Sequence, residues 1–390
     1  MTFRKRHTTP ILLLTTAALC RAQDVPPVGP IGDGAHVVPT AQLIRPAGDT
    51  LELAGRPVDM ALAPDGLTLY VKDNRGIIAI DADKWVIRQE LGFEKGGGSM
   101  CGIAVSPDGK RIYATTARNT LAEAVVGADG QVTWSRKIEL PGPDGKGTSF
   151  PCGVALARDQ SLAYVCLSRN NTLGVVDLKD GRLVDQIAVG VAPYAVTLSP
   201  DERIAYVANW GGRRAGEKDR TAKSAGTDTV VDERGIAASG TVSIVDLQAG
   251  HEIAHIGVGL SPAGLVLGPN GQTLYVANAN SDTVSFINTG TQAVAETLTV
   301  RLDDSLPFGS MPNGLAVSGD GRTLFVANAG NNAIAVVRLN DDGSKPVGIA
   351  GFVPTGWYPG AVIAGDKRLF VANIKGVGSR TRRADRKGWN

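Results

Sequence analysis

The chain has 390 residues, a formal net charge of +2, 43% hydrophobic residues, 5% aromatics and 49 glycines. That glycine content and the scarcity of helix-period apolar stripes argue against a helical protein, and the near-neutral charge gives no global nucleic-acid signature. Val, Ile, Leu, Tyr and Thr recur instead in short runs broken by Gly, Asn, Asp and Pro, the texture of many short strands.

The N-terminus reads as a targeting segment. Arg4, Lys5, Arg6 and His7 form a basic region, Ile11 to Leu19 a short apolar one, and Cys20-Arg21-Ala22 a small-x-small site. Cleavage is expected after Ala22, giving a signal peptide over 1–22 and a periplasmic or extracellular protein. An alternative is acylation at Cys20, although Leu19 suits that poorly. The apolar run is too short to span a bilayer, and no later stretch resembles a transmembrane helix. Loss of four cations takes the formal charge from +2 to about −2.

From there one unit recurs. An apolar strand leads into a Pro-Asp-Gly-type turn, and a second strand carries an aromatic-Val-Ala-Asn motif. A third strand ends in Asp, and a fourth follows a Gly-containing turn. The clearest second strands are Tyr206-Val-Ala-Asn209, Tyr275-Val-Ala-Asn278, Phe325-Val-Ala-Asn328 and Phe370-Val-Ala-Asn373, with degenerate copies at Tyr70, Tyr113 and Tyr164. The turns include Ser106-Pro-Asp-Gly109, Ser199-Pro-Asp-Glu202, Gly268-Pro-Asn-Gly271 and Ser318-Gly-Asp-Gly321, whose residue types suit successive corners of a tight turn. The seven aromatic anchors are spaced by roughly 42 to 69 residues. Four strands per unit at that period predict an all-β, seven-bladed β-propeller of four-stranded antiparallel blades over 23–377.

The last blade has strands near Gly360 to Ile363 and Arg368 to Ala372 but no third strand, so it is incomplete. Ala41 to Arg45 is expected to pair onto it and close the ring, removing an exposed edge. Residues 378–390 form a basic tail. Either that tail improvises the missing strands or the chain is the front part of something longer.

The YVAN motifs and Pro-Asp-Gly turns make the chain resemble bacterial YVTN β-propeller proteins over nearly its whole mature length. Asn209-Trp-Gly-Gly-Arg-Arg214, Gly356-Trp-Tyr-Pro-Gly360 and Asn373-Ile-Lys-Gly-Val-Gly-Ser-Arg380 resemble a narrower branch. There a propeller precedes an alkaline-phosphatase-like phosphoesterase domain. That domain's metal ligands have no counterparts here, so its activity does not carry over.

Few motifs point to chemistry. His251-Glu252-Ile253-Ala254-His255 matches a zinc-protease pattern that needs a helix. It falls where the other repeats have a fourth strand, where four residues span about 13 Å, so no shared metal is expected. His36 is the one other histidine outside the targeting segment, which disfavours haem, and no cofactor is expected. Gly142 to Thr148 has the wrong spacing for a phosphate loop. No nucleophile elbow is present. A lactonase-like channel would need acids, for which Asp59 is one candidate without evident partners.

Cys101 and Cys152 occupy equivalent places in neighbouring blades, near the axis. A disulfide is possible if their Cα atoms lie within about 7 Å; two buried free thiols are the alternative. Cys166 reads as a small buried hydrophobe. An insertion at about 211–239 is either a mobile surface loop or a lid or docking element.

Candidate ligand residues come from the loops after second strands and the connections between blades, which share one face. Arg75, Arg118, Arg169, Arg213 and Arg214 place cations in four consecutive blades, with Trp210, Trp357 and Tyr358 on the same face. Guanidinium forks there suit phosphate, carboxylate or sugar-acid ligands; the competing reading is solvated arginines paired with local acids such as Asp73. The expected protein is therefore an exported, non-catalytic scaffold for an anionic small molecule or a protein partner, with no specific nucleic acid. A channel-mouth hydrolase is the alternative.

Overall fold

The computed structural model describes residues 28–94 and 97–376. The expected targeting segment and basic tail lie outside these residues. The chain forms a seven-bladed β-propeller. Blade one comprises Pro57–Leu62, Thr68–Asp73, Gly76–Asp81 and Val86–Gly92. Blade two comprises Gly98–Val105, Arg111–Thr116, Thr120–Val126 and Val132–Glu139. Blade three runs Pro151–Leu156, Leu162–Leu167, Thr172–Asp177 and Arg182–Ala188. Blade four has Val191–Leu198, Ile204–Gly212, Gly240–Asp246 and His251–Val258. Blade five has Pro262–Leu267, Thr273–Asn278, Thr283–Asn288 and Ala293–Thr299. Blade six has Pro312–Val317, Thr323–Asn328, Ala333–Leu339 and Pro346–Pro354. Blade seven has two strands among the described residues, Pro359–Ala364 and Leu369–Asn373.

Every blade is an antiparallel meander in chain order, and the first strands touch one another in sequence around the axis. The first strand of blade seven meets that of blade one and closes the ring. The aromatic anchors explain why the blades associate. Tyr70 packs with Ile103 and Ile112 of blade two, and Tyr113 with Ala163 and Val165 of blade three. Tyr164 meets Ala205 and Val207, Tyr206 meets Leu274 and Val276, and Tyr275 meets Leu324 and Val326. Phe325 reaches Val362 of blade seven, and Phe370 reaches Met60 and Leu69 of blade one. One repeated aromatic thus makes each interblade core.

The motif asparagine has a separate role. Asn209 Nδ2 donates to Thr241 Oγ1 (3.1 Å) and Ser243 Oγ (2.8 Å), and Asn278 Nδ2 to Thr283 Oγ1 (3.1 Å) and Ser285 Oγ (2.9 Å). These buried amides tie the second strand to the third. In the turns, Ser106, Ser199 and Ser318 each donate to an aspartate Oδ1 at 2.6 Å, on Asp108, Asp201 and Asp320. Those bonds hold the three carboxyls below their ordinary pKa.

Closure departs from expectation. Ala41 to Arg45 does not pair onto the blade of Phe370. Leu43–Ile44 joins Ala35–Val37 and Gly29–Gly32 in a separate three-stranded sheet. That sheet docks through Val38 and Ile44 on Trp357, and through a 3.1 Å bond from Asn332 Nδ2 to Gln42 Oε1. The physical reason is local. Val38 N–H donates to Gln42 O and Ala41 N–H to Val38 O, a tight turn that folds the segment on itself. The chain then passes blade seven, where Leu51 and Leu53 pack against Phe370 and Met60. A cavity of about 370 Å³ remains there, lined by Trp85, Leu369 and Val371 among others.

Candidate site on the loop face

The connections between blades and the loops after second strands emerge on one face. Met100, Phe150 and Trp210 are exposed there, from blades two, three and four. Proline begins the first strands of blades one, three, five, six and seven, and Pro193 sits near the start in blade four. Phe150, Ala192, Ser261, Met311 and Tyr358 precede five of these prolines with φ between 48° and 65°. A non-glycine residue held at positive φ stores strain, and five such residues ring the mouth.

The insertion in blade four carries its own strands. Thr221–Ser224 and Thr227–Val230 form a hairpin, and the Val230-Val231 island is buried against the body. The hairpin roofs a cavity of about 250 Å³, lined by Ser168, Arg169, Asn171, Trp210, Thr227 and Ser261 among others. Asn171 Nδ2 donates to Thr227 Oγ1 (3.1 Å), which latches the roof to blade three. Trp210 lies against Tyr194, with ring centroids 5.6 Å apart.

The candidate arginines divide. Arg75 is engaged by Asp73 (3.0 Å) and Glu90 (3.2 Å), and Arg213 is held bidentately by Asp219 (2.5 and 2.7 Å). Arg214 donates to the carbonyls of Val189 and Asn171. Arg118 and Arg169 are exposed and have no ion pair among the described residues. Their loops are neighbours: Phe150 N–H donates to Arg118 O, and Arg169 N–H to Ser149 O. Arg169 lines the cavity together with Trp210. Trp357 and Tyr358 are elsewhere on the face, under Lys375, whose Nζ lies 5.1 and 4.3 Å from their ring centroids.

A polar cluster lies where blades one, two and three meet. Lys72 is fully buried; its Nζ donates to Ser99 Oγ (2.8 Å), Thr115 Oγ1 (2.9 Å) and Cys101 O. No carboxylate pairs with it among the described residues. Burial brings its pKa down to about 8, against the opposing influence of Cys101, Asp59 and Cys152. Asp59 Oδ2 accepts from Gly102 N–H at 2.6 Å, and burial raises its pKa. Cys101 and Cys152 are free thiols on adjacent first strands; Cys152 is buried and Cys101 partly so. Ser168 Oγ donates to Pro193 O (2.6 Å) and lies 3.3 Å from Cys152 Sγ. Ser168 therefore links the thiols to the cavity.

Lys72, Ser99, Thr115, Ser168 and Tyr194 were not singled out in the sequence. A signal existed. Tyr70-Val71-Lys72-Asp73 stands where the clearest repeats read aromatic-Val-Ala-Asn, so a lysine replaces a buried alanine. His251 and His255 lie on a fourth strand, as expected, both exposed. No helix of the described residues is long and apolar enough to cross a membrane.

No protein-family model matches the chain, and no curated protein matches it. Among solved structures it is similar to the hydrazine synthase of Kuenenia stuttgartiensis. The TM-score is 0.65 and the identity 18%, covering 84% of this chain and 96% of that one. A likeness at that identity is one of fold, and it agrees with the seven-bladed architecture.

Proposed function

We propose that the protein is an exported binding scaffold whose loop face captures a small oxyanion. The observation that carries this is the roofed cavity in which Arg169, without an acid partner, stands beside Trp210. A guanidinium free of carboxylates is available for bidentate contact with a phosphate or carboxylate, and an adjacent indole can cover a sugar ring. At about 250 Å³ the space suits a small acid, up to a hexuronic acid, better than a large cofactor. Export rests on the basic-then-apolar N-terminus. The YVTN-like repeats support a module that works beside a catalytic domain rather than as one. Any link to a phosphoesterase rests on that resemblance alone.

Isothermal titration with inorganic phosphate, citrate and glucuronate tests the reading. At least one should bind at low salt, weaken as salt rises, and lose roughly tenfold affinity or more in Arg118→Ala/Arg169→Ala. If none binds, or the double variant binds equally well, the oxyanion reading is wrong.

A further inference from the structure

We propose that Cys101 and Cys152 form a redox-active dithiol site at the propeller axis, in which a hydroperoxide oxidises Cys152 and Cys101 then closes a disulfide between blades two and three. Three observations converge. The first strands of these blades are in intimate contact: a Cβ added to Gly102 would lie 2.0 Å from Cys152 O. The two free thiols sit on backbones that converge, since Thr115 Oγ1 lies 2.7 Å from Cys101 O and 3.0 Å from Cys152 O. A buried ammonium, Lys72, touches the Cys101 carbonyl, anchored by Ser99 and Thr115 and in no direct ion pair among the described residues.

A buried cation favours anions nearby, and Asp59 acts on Lys72 from the same blade without a direct ion pair. Five groups face the pair: Lys72 and Asp59 from blade one, Tyr194 from blade four, and Ser168 and Cys166 from blade three. Their effect is asymmetric. Cys152 is lowered by the hydrogen bond from Cys101, by Ser168 and by the charge of Lys72, which together outweigh its burial. Cys101 is raised by its bond to Cys152 and by burial. The pull on Cys152 and the push on Cys101 make Cys152 the attacking sulfur and Cys101 the resolving one in this proposal.

The Cys152 thiolate attacks one oxygen of the hydroperoxide. The O–O bond breaks, an S–O bond forms, and the alkoxide or hydroxide leaves with a proton from solvent. Cys101 sulfur then attacks the sulfenic sulfur. The S–O bond breaks, the S–S bond forms, and water departs with the Cys101 proton. Two thiols are oxidised and one peroxide is reduced.

The test uses the full chain, reduced with dithiothreitol and desalted. One equivalent of hydrogen peroxide should remove two hydrogens from the intact mass and yield one Cys101–Cys152 cross-linked peptide. Dithiothreitol should reverse it in the folded protein, with Cys166 still alkylatable after denaturation. Cys101→Ser should stop at a dimedone-trappable sulfenic acid on Cys152. Lys72→Met should slow oxidation at pH 7 by roughly tenfold, equivalent to about one pKa unit. Should that variant fail to fold, the wild-type pH–rate profile decides, with a midpoint below the ordinary thiol value of about 8.5. Unreacted thiols after peroxide, a sulfinic product without a bridge, a midpoint at or above that value, or a bridge that resists dithiothreitol in the folded state would each overturn the proposal.

Discussion

The Nζ of Lys72, on the second strand of blade one, lies 2.8 Å from Ser99 Oγ on the first strand of blade two. This bond crosses the interface between blades one and two, beside the apolar cluster around Tyr70, Ile103 and Ile112. Ser99 Oγ and Thr115 Oγ1 also lie 2.7 Å from each other, so the hydroxyls keep one partner when the ammonium is removed. Lys72→Met fills most of the same volume and removes a buried unpaired charge, a change that is often tolerated. Lys72→Ala leaves a hole as well. Urea unfolding should show a loss of about 3 kcal/mol for the alanine variant and at least about 1 kcal/mol less for the methionine variant. Equal losses would mean that the charge, not the filled volume, stabilises the seam.

Asn278 gives a sharper test of the repeat. Its amide bonds Thr283 and Ser285, and a Cβ on Gly259 would lie 2.6 Å from its own Cβ. The same close approach recurs between Gly190 and Asn209 and between Gly356 and Asn373. Asn278→Ala should cost about 2 kcal/mol by losing both buried bonds. Gly259→Ala should cost at least about 1 kcal/mol through overpacking. The alanine at 278 retains its Cβ, so the clash persists and the two costs should add within about 0.5 kcal/mol in a double-mutant cycle. A strong interaction term would show that the clash falls on the amide instead.

How far these features could be read from sequence follows from their physics. The aromatic anchors and Ser-Pro-Asp turns were legible because each acts within one repeat and recurs. The fourth-strand placement of His251 and His255 followed from the same register. Closure was not legible, because Ala41 to Arg45 could satisfy its backbone locally through Val38 and Gln42 as well as on the blade edge. The division among the arginines depended on acids far along the chain or inside the insertion, such as Glu90 for Arg75 and Asp219 for Arg213. The Lys72 cluster joins residues from four blades, which no local pattern reveals.

Acid sensitivity should follow the turn carboxylates. Asp81 is brought down to about 2 by the Lys84 N–H, with Arg88 adding to it, and Asp219 to about 2 by Arg213. Asp108, Asp201 and Asp320 are lowered by their serine hydroxyls. A depressed folded pKa gives stability that is present above the unfolded value of about 3.9 and lost as pH falls through the folded one. Asp59, raised by burial, acts in the opposite sense but is one group against several. Thermal midpoints should therefore be nearly flat from pH 7 to about 5 and drop between about 4 and 2. Asp81→Asn should show a shallower drop than wild type. A midpoint that stays level down to pH 2 would contradict this linkage.

The seventh blade offers the last test, because only two of its strands lie among the described residues. Phe370 is buried against Met60, Leu69 and Val71 of blade one and stacks on Trp85, centroids 5.9 Å apart at 28°. It is the anchor that joins the last blade to the first. Its neighbours on the outer side are Leu51 and Leu53 from the N-terminal segment and the cavity of about 370 Å³. Phe370→Ala should cost about 3–4 kcal/mol, since it enlarges a space the surroundings already fail to fill. Leu53 is half-buried, so Leu53→Ala should cost only about 1–2 kcal/mol. Leu53→Phe should instead stabilise by about 1 kcal/mol, because the added ring can enter the apolar cavity without displacing a packed side chain. All three are read from urea unfolding followed by the fluorescence of Trp85 and the other tryptophans. If Leu53→Phe destabilises while Phe370→Ala is mild, the N-terminal segment does not pack on the blade in solution, and the ring is closed by the contact between first strands alone.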